Sequence, residues 1–551
     1  MQRREFLRAA FAAPSLFAAP PAPRPNIVLV MADDMGFSDI GPYGGEIATP
    51  TLDTLARNGL RFTQFYNTAR CCPTRASLLT GLYPHQAGIG HMMNDYDRPG
   101  YRGDLNRTSI TIAEVLRSAG YRTAMCGKWH VTPQTADSHN WPLQRGFEKF
   151  YGTIAGAGSF WDPNTLTRDN TPIKADRQDF YYTDELGSQA ANYIGELAGG
   201  EAPFFLYLAF TAPHWPMHAR EETIAKYKDR YRAGWDAIRS ERHARQKKLG
   251  VVDAKWELSP RAPEVPKWED VPDKEWQIRR MAVYAAMVDH LDQNLAKVVA
   301  KLKEKNQLDN TLVFFLADNG GCAEGMAGRR EADANPNTSI RPVKTIDGRP
   351  VQVGNDPKVM PGPANTYQSY GPEWAHASNT PFRLYKHYVH EGGISSPLIV
   401  HWPNGVKGKN NITRQPGHLI DIMATCVDVA GAAYPAEYKG IKITPLEGKS
   451  LRPIFEGRQR PGHEAIYWEH EGNQAIRMGD WKLVKRHGSE WELYNLASDR
   501  TELHNLSARE AARVESMAAN WQSWANRSNV LPWQSWNSGA IQQKQKKKKK
   551  S

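Results

Sequence analysis

The 551-residue sequence predicts an α/β fold, a large doubly wound mixed sheet flanked by helices, with a smaller C-terminal subdomain built on an antiparallel sheet. Three observations carry this reading. Unbroken apolar runs of strand length alternate with helix-length segments up to about residue 432. Acids, amides and histidines follow directly on the ends of those runs. From about Ala433 the pattern changes to short alternating segments.

The elements follow in chain order. NIVLVMADD (Asn26–Asp34) reads as a parallel strand buried on both faces, ending in two carboxylates. TPTLDTLARNG (Thr49–Gly59) is a short helix stopped by Gly59. SITIAEVLRSAGYRTAMCGKWH (Ser109–His130) is a helix, a Gly120 cap, a strand and a polar exit. PFFLYLAFTAPHWPMH (Pro203–His218) is a second buried strand with histidines just past its end. A long amphipathic helix near Ile278–Lys305 leads into TLVFFLADNGG (Thr311–Gly321), a strand ending in Asp-Asn. SSPLIVHWP (Ser395–Pro403) is another strand, followed by helical HLIDIMATCVDVAG (His418–Gly431). Two long excursions, Glu221–Pro272 and Glu324–Thr380, are expected to act as lids or substrate walls. QAIRMGDWKLVKR (Gln474–Arg486) and WELYNL (Trp491–Leu496) read as the small antiparallel sheet, with a helix near Ala508–Ala525. The domain reading is therefore 1–25 leader, 26–432 catalytic domain, 433–540 C-terminal subdomain and 541–551 Lys-rich disordered tail.

Hydrophobic residues at 40% and charged residues at 23% are ordinary globular proportions. Of the net charge of +11, Lys544 and Lys546–Lys550 contribute six and the leader three, leaving about +2 on the body. So little charge gives no phosphate-tracking surface, and nucleic acid is excluded as a partner. The leader MQRREFLRAAFAAPSLFAAPPAPRP is too short and too broken by Pro14 to span a bilayer, and no later run is long and apolar enough. Arg3-Arg4 followed by Glu5-Phe6-Leu7 resembles a bacterial twin-arginine export signal, which implies a periplasmic or secreted protein. Five scattered cysteines without a C-x-x-C pair exclude a disulfide scaffold and argue against structural zinc.

Asp33, Asp34, Asp318 and Asn319 all lie at strand exits and offer only oxygen, the donor set of Ca²⁺ or Mg²⁺. Each alone would serve equally as a cap or turn residue. In ARCCPTRASLLTG (Ala69–Gly81), Pro73 suits a first helical turn, which sets Cys71 at a helix N-terminus where an anion is favoured. Arg75 adds a fixed positive charge for an oxyanion. The Cys-to-Arg spacing does not fit a cysteine phosphatase loop, and a soft sulfur is a poor companion for a hard cation.

Cys71-Cys72-Pro73-Thr74-Arg75, continuing through Leu79-Thr80-Gly81, resembles the sulfatase signature C-x-P-[ST]-R-x-x-x-L-T-G. The resemblance implies that Cys71 is oxidised by a formylglycine-generating enzyme to Cα-formylglycine, whose hydrate is the nucleophile, and that Cys72 is the variable position. It extends along the chain. NIVLVMADDMGFSDIGPYGG matches the strand bearing the metal ligands Asp33 and Asp34; LADNGG supplies Asp318 and Asn319. GKWH supplies Lys128 and His130, TAPHWPMH supplies His214, and FRLYKHYVHEGGISSPLIVHWP supplies Lys386, the lysine on the sulfate. IRMGDWKLV and ELYNLASDRTELHNL resemble the family's C-terminal subdomain. The chain departs from the common pattern at Arg383-Leu384-Tyr385 and Ser395-Ser396, which bear on the substrate rather than the reaction.

What is implied is a sulfuric ester hydrolase of arylsulfatase type in the alkaline phosphatase superfamily. Residue 71 completes the metal site, and Arg75, Lys128 and Lys386 neutralise the sulfuryl oxygens. His214, with Lys386, protonates the leaving oxygen, and His130 takes the proton that lets sulfate depart. The substrate is an aryl or carbohydrate sulfate. The alternatives are a sulfated-polysaccharide exo-sulfatase, a phosphonate or phosphate ester hydrolase, and a non-catalytic sulfated-glycan binder. His218, His376, Trp374 and His401 are read as structural ahead of pocket-lining, and Trp533 and Trp536 as packing.

Overall fold

The computed structural model describes residues 24–133, 138–329 and 340–533. The leader up to residue 23, Trp536 and the Lys-rich tail lie outside the described residues.

The elements that position the site are β1 (Asn26–Ala32), α1 (Pro50–Arg57), β2 (Leu60–Tyr66), α2 (Cys71–Thr80), α3 (Ile112–Ser118), β3 (Arg122–Lys128), β4 (Lys149–Thr153), α4 (Tyr182–Leu197), β5 (Phe204–Ala209), α5 (Lys274–Glu304), β6 (Thr311–Ala317), β7 (Ser395–His401) and α6 (Ile420–Ala430). The C-terminal part holds β8 (Ile466–His470), β9 (Asn473–Met478), β10 (Trp481–Lys485), β11 (Glu492–Asn495) and α7 (Ala511–Arg527).

In the large sheet the labelled strands run β2-β7-β6-β1-β5-β3-β4, extended at both edges by short strands. The central strands β6, β1, β5, β3 and β4 are mutually parallel, with Met31 opposite both Leu316 and Ala209. β7 runs antiparallel between β6 and β2, so the sheet is mixed. Successive β1 side chains alternate faces. Val28 and Val30 pack in a core with α4 and α5, and Ile27, Leu29 and Met31 in a second core with α2, α3 and α6. Helices on both faces explain why these strands are apolar throughout.

The structure adjusts two expectations. Helix α3 starts at Ile112 rather than Ser109, because Thr111 and Glu114 close a capping box in which each side chain accepts a hydrogen bond from the other's backbone N–H. The Glu221–Pro272 excursion carries a helix, Gly234–Leu249, docked on the body. Its fully buried Arg242 pairs with Asp39 and Glu46, both at 2.7 Å, so this segment is a packing element rather than a lid. Trp374 lies in an edge-to-face cluster with Trp235, Trp268 and Tyr231, and His218 Nε2 bonds the Thr366 carbonyl oxygen at 2.6 Å. His376 and His401 are buried as well. Trp533 packs its ring on His91 at 4.9 Å.

The four-stranded antiparallel sheet β8–β11, backed by α7, is joined to the large sheet by a fully buried ionic knot. Glu391, four residues before β7, receives Lys482 Nζ at 2.9 Å and Arg500 Nε at 2.9 Å. Its own backbone N–H donates to Glu502 at 2.9 Å, and Arg500 also donates to the Thr63 carbonyl in β2. The Arg500 guanidinium lies 4.9 Å from the Phe382 ring centroid. Burial raises the carboxyl of Glu391, but the cations outweigh it and bring it down to about 2. Removing one partner of a buried ion pair strands the other. Arg500→Ala is therefore expected to destabilise the protein by about 3–5 kcal/mol, read from the urea unfolding midpoint. An unchanged midpoint would remove the knot from the account of how the two sheets are held.

Candidate active site

All the sequence-predicted site residues meet at one edge of the large sheet. The parallel strands β1, β3, β5 and β6 deliver their carboxyl ends there, where ligands gather in open α/β sheets. Asp33-Asp34 follow β1, Lys128 closes β3 with His130 two residues on, His214 follows β5, and Asp318-Asn319 follow β6. β2 runs in the same direction, so Cys71, opening α2, reaches this edge as well. β7 runs the other way, so its amino end brings in Lys386.

Each carboxylate is matched to a cation. Lys128 Nζ donates to Asp33 Oδ2 at 2.6 Å, and Arg75 Nη2 to Asp318 Oδ2 at 2.9 Å while lying 3.5 Å from Asp33. Lys386 Nζ donates to Asp34 at 2.9 Å, and His214 Nε2 is 3.4 Å from the same carboxylate. Asn319 Nδ2 donates to Asp34 Oδ1 at 2.7 Å, and the Asp34 backbone N–H donates to Asp318 Oδ1 at 3.0 Å. Arg75 Nη1 also donates to the Lys128 carbonyl at 3.1 Å, and Thr74 Oγ1 to the Asp318 carbonyl at 2.6 Å, which ties α2 to β3 and β6. Asp33, Asp318, Asn319, Arg75 and Lys128 have no exposed surface.

The titration of the groups follows from this packing. Burial raises Asp33 and Asp318, and the neighbouring Asp33 charge lifts Asp318 further. Asp34 ends below the usual range because Lys386 and His214 outweigh its burial. The Cys71 thiol is drawn well down by a hydrogen bond from Cys72 and by the Lys128 charge, while burial pushes Cys72 well up. Burial lowers both His130 and His214 to about 4, leaving neutral imidazoles. His214 Nδ1 lies 2.6 Å from the Trp215 carbonyl oxygen, so it carries the proton and leaves Nε2 free. The two thiols share His130: both sulfurs lie within 4.8 Å of a ring nitrogen and of each other, and Cys72 Sγ is 3.3 Å from His130 Nε2 and 3.6 Å from Met92 Sδ.

Five non-glycine residues in or beside the site have left-handed backbones: Asp34 (63°), Ala69 (61°), His130 (53°), Leu384 (64°) and His387 (81°). Such conformations cost about 1–3 kcal/mol each and persist only where the surroundings enforce them. Residues not foreseen from the sequence line the rim. Glu324 accepts from Arg70 at 2.7 Å and from Trp215 Nε1 at 2.8 Å, and lies 3.0 Å from His387 Nε2. Arg70 and His387 adjoin Cys71 and Lys386 in sequence, and that adjacency is the signal by which they were findable.

A buried cluster of oxygen donors ringed by cations is suited to an anion held beside a hard cation. The sulfatase family model matches residues 25–432, and the model described as N-sulphoglucosamine sulphohydrolase, C-terminal, matches residues 382–523. This chain belongs to the sulfatase family and is a sulfuric ester hydrolase. An uncharacterized sulfatase of Schizosaccharomyces pombe is 34% identical, with 92% of this chain and 94% of the relative covered. The arylsulfatase of Klebsiella aerogenes is 31% identical, with 79% and 93% covered. The solved structure of Ps i-CgsB, in complex with k-i-k-neocarrahexaose, shares the fold at TM-score 0.66 and 24% identity, covering 94% of this chain and 97% of that one.

The ring of His130 rests on Gly156, where an added Cβ would lie 2.1 Å from Cε1 and 2.2 Å from Nε2. Gly156→Ala is expected to displace the imidazole and lower kcat about 10²-fold, with little change in thermal midpoint. Unchanged kcat would show that the position of His130 does not depend on this contact.

Proposed function

We propose that the chain cleaves sulfate monoesters with a hydrated Cα-formylglycine made from Cys71, and that Asp33, Asp34, Asp318 and Asn319, together with residue 71, hold Ca²⁺ or Mg²⁺. The observation that carries this reading is the placement of Cys71: first residue of a buried helix whose Thr74 and Arg75 bond Asp318. The residues fit the ion. All four side chains offer oxygen, and the buried Asp33 Oδ1 and Asn319 Oδ1 have no hydrogen-bond partner among the described residues. When bound, the ion neutralises negative charge on the sulfuryl oxygens.

The remaining steps belong to the chain. Formylglycine hydrate offers one hydroxyl to attack sulfur and a second whose deprotonation expels sulfate and restores the aldehyde. Lys128, Arg75 and Lys386 are fixed positive charges around the anion and need no reorganisation during reaction. His214 takes up a proton at Nε2, beside Asp34, as the sulfate anion binds, and with Lys386 delivers it to the departing oxygen. His130, held neutral by burial, accepts the proton of the second hydroxyl.

The arylsulfatase relative supports small aryl sulfates as substrates, and a structural neighbour solved with an oligosaccharide supports carbohydrate sulfates as the second reading. Maturation by a formylglycine-generating enzyme and twin-arginine export to the periplasm or beyond complete the proposal. No helix among the described residues is long and apolar enough to cross a membrane.

In active protein made with a maturation enzyme, the tryptic peptide that starts at Cys71 is expected to be lighter by about 18 Da, the thiol-to-aldehyde change. Cys71→Ala should abolish turnover and Cys72→Ala should leave most of it. Conversion at Cys72, or at neither position, overturns the assignment.

The two histidines separate by leaving group. His214→Ala should cost about 10²–10⁴-fold for poor leaving groups such as sugar alcohols and far less for a nitrophenol, which departs unaided. His130→Ala should show no such trend and should accumulate sulfate on residue 71 after one turnover, visible by mass. Equal losses across the series would reverse this division of roles.

A further inference from the structure

β8 and β9 are joined by a two-residue turn, Glu471-Gly472, with His470 opposite Asn473 and both turn residues at positive φ (51° and 79°). The turn places Glu471 among three imidazoles. His91 Nε2 lies 3.1 Å and His470 Nε2 3.6 Å from Glu471 Oε1, and His387 Nδ1 lies 2.8 Å from Oε2. The His91 and His470 rings stack at 5.6 Å, and the ligand atoms of His91, His470 and Glu471 all lie within 4.8 Å of one another. Around a tetrahedral zinc with bonds of about 2.0–2.1 Å, donor atoms are spaced at roughly 3.3 Å, so the first two separations bracket that spacing.

A second observation is independent of that spacing. His470 has no exposed surface, and neither ring nitrogen makes a hydrogen bond among the described residues. An unsatisfied buried polar group forfeits about 1–3 kcal/mol, and a bound ion is one of the partners that relieves it. Burial also keeps this imidazole neutral, the form that ligates metals.

We propose that His91, His470 and Glu471 form a second cation site, selective for Zn²⁺ or a similar imidazole-seeking divalent ion, with His387 ordering the carboxylate from its other oxygen. Two nitrogens and one oxygen distinguish it from the all-oxygen catalytic set, and the two share no ligand. The remaining tetrahedral position falls to water. The site joins the β8–β9 hairpin to the segment that carries His91. Through His387, which touches Glu324 and Arg70, it braces the rim beside residue 71.

The test uses the full-length protein, saturated with Ca²⁺ and stripped of transition metal, titrated with Zn²⁺ by calorimetry and with Co²⁺ by visible absorption. One ion per chain is expected, with tetrahedral Co²⁺ bands and a Zn²⁺-dependent rise in Tm. Affinity should fall about 100-fold in His91→Ala and Glu471→Gln, two partly exposed positions whose folding is checked by circular dichroism, and should persist in Asp318→Asn and Cys72→Ser. The proposal is overturned if no Zn²⁺ binds, if His91→Ala binds it as tightly as the parent, or if binding is lost in Asp318→Asn or Cys72→Ser.

Discussion

The structure depends on balancing buried charge at the carboxyl edge of the large sheet. Asp33, Asp34 and Asp318 sit where water cannot solvate them, and uncompensated burial of even one carboxylate costs several kcal/mol. Arg75, Lys128 and Lys386 supply three positive charges against three negative ones. Each carboxylate is thereby faced by a neighbouring cation. The helix bearing residue 71, the strand ends and the loop before β7 are bound to one another by these same contacts, so the ionic balance is also the joint of the fold.

How much of this was legible in the sequence follows from where each residue sits. Strands covered on both faces read as unbroken apolar runs, so their ends, and with them Asp33, Asp34, Lys128, Asp318 and Asn319, could be located from hydrophobicity alone. Lys386 could not. It lies in irregular chain ahead of a strand of opposite direction, and only the family pattern pointed to it. Glu324 was illegible for a related reason, because its closeness to Arg70, Trp215 and His387 arises from the tertiary path of long loops. The start of α3 is written in Thr111 and Glu114, three positions apart as a capping box requires. Nothing local marked Arg242 as buried, since its partners Asp39 and Glu46 are some two hundred positions away.

The ionic knot at Glu391 extends the same logic to the C-terminal sheet. Lys386 and Glu391 lie on one short segment, the former in the site and the latter held by Lys482 and Arg500. The small sheet thereby fixes the amino end of β7 and, with it, the Lys386 charge beside Asp34. The left-handed residues at Leu384 and His387 fall on this segment too, where conformations of high energy are held by contacts on both sides.

The burial of α2 also sets a clock on biosynthesis. Cys71 is only 2% exposed, and its helix packs against α6, some 340 residues later in the chain. At about 5–20 residues per second, the helix waits on the order of 20–70 s on the ribosome before its covering partner exists. Within that interval α2 lacks one of the helices that bury it, and once α6 docks that face is closed. Access to this helix is thus scheduled by translation, and closes with the last element that packs on it.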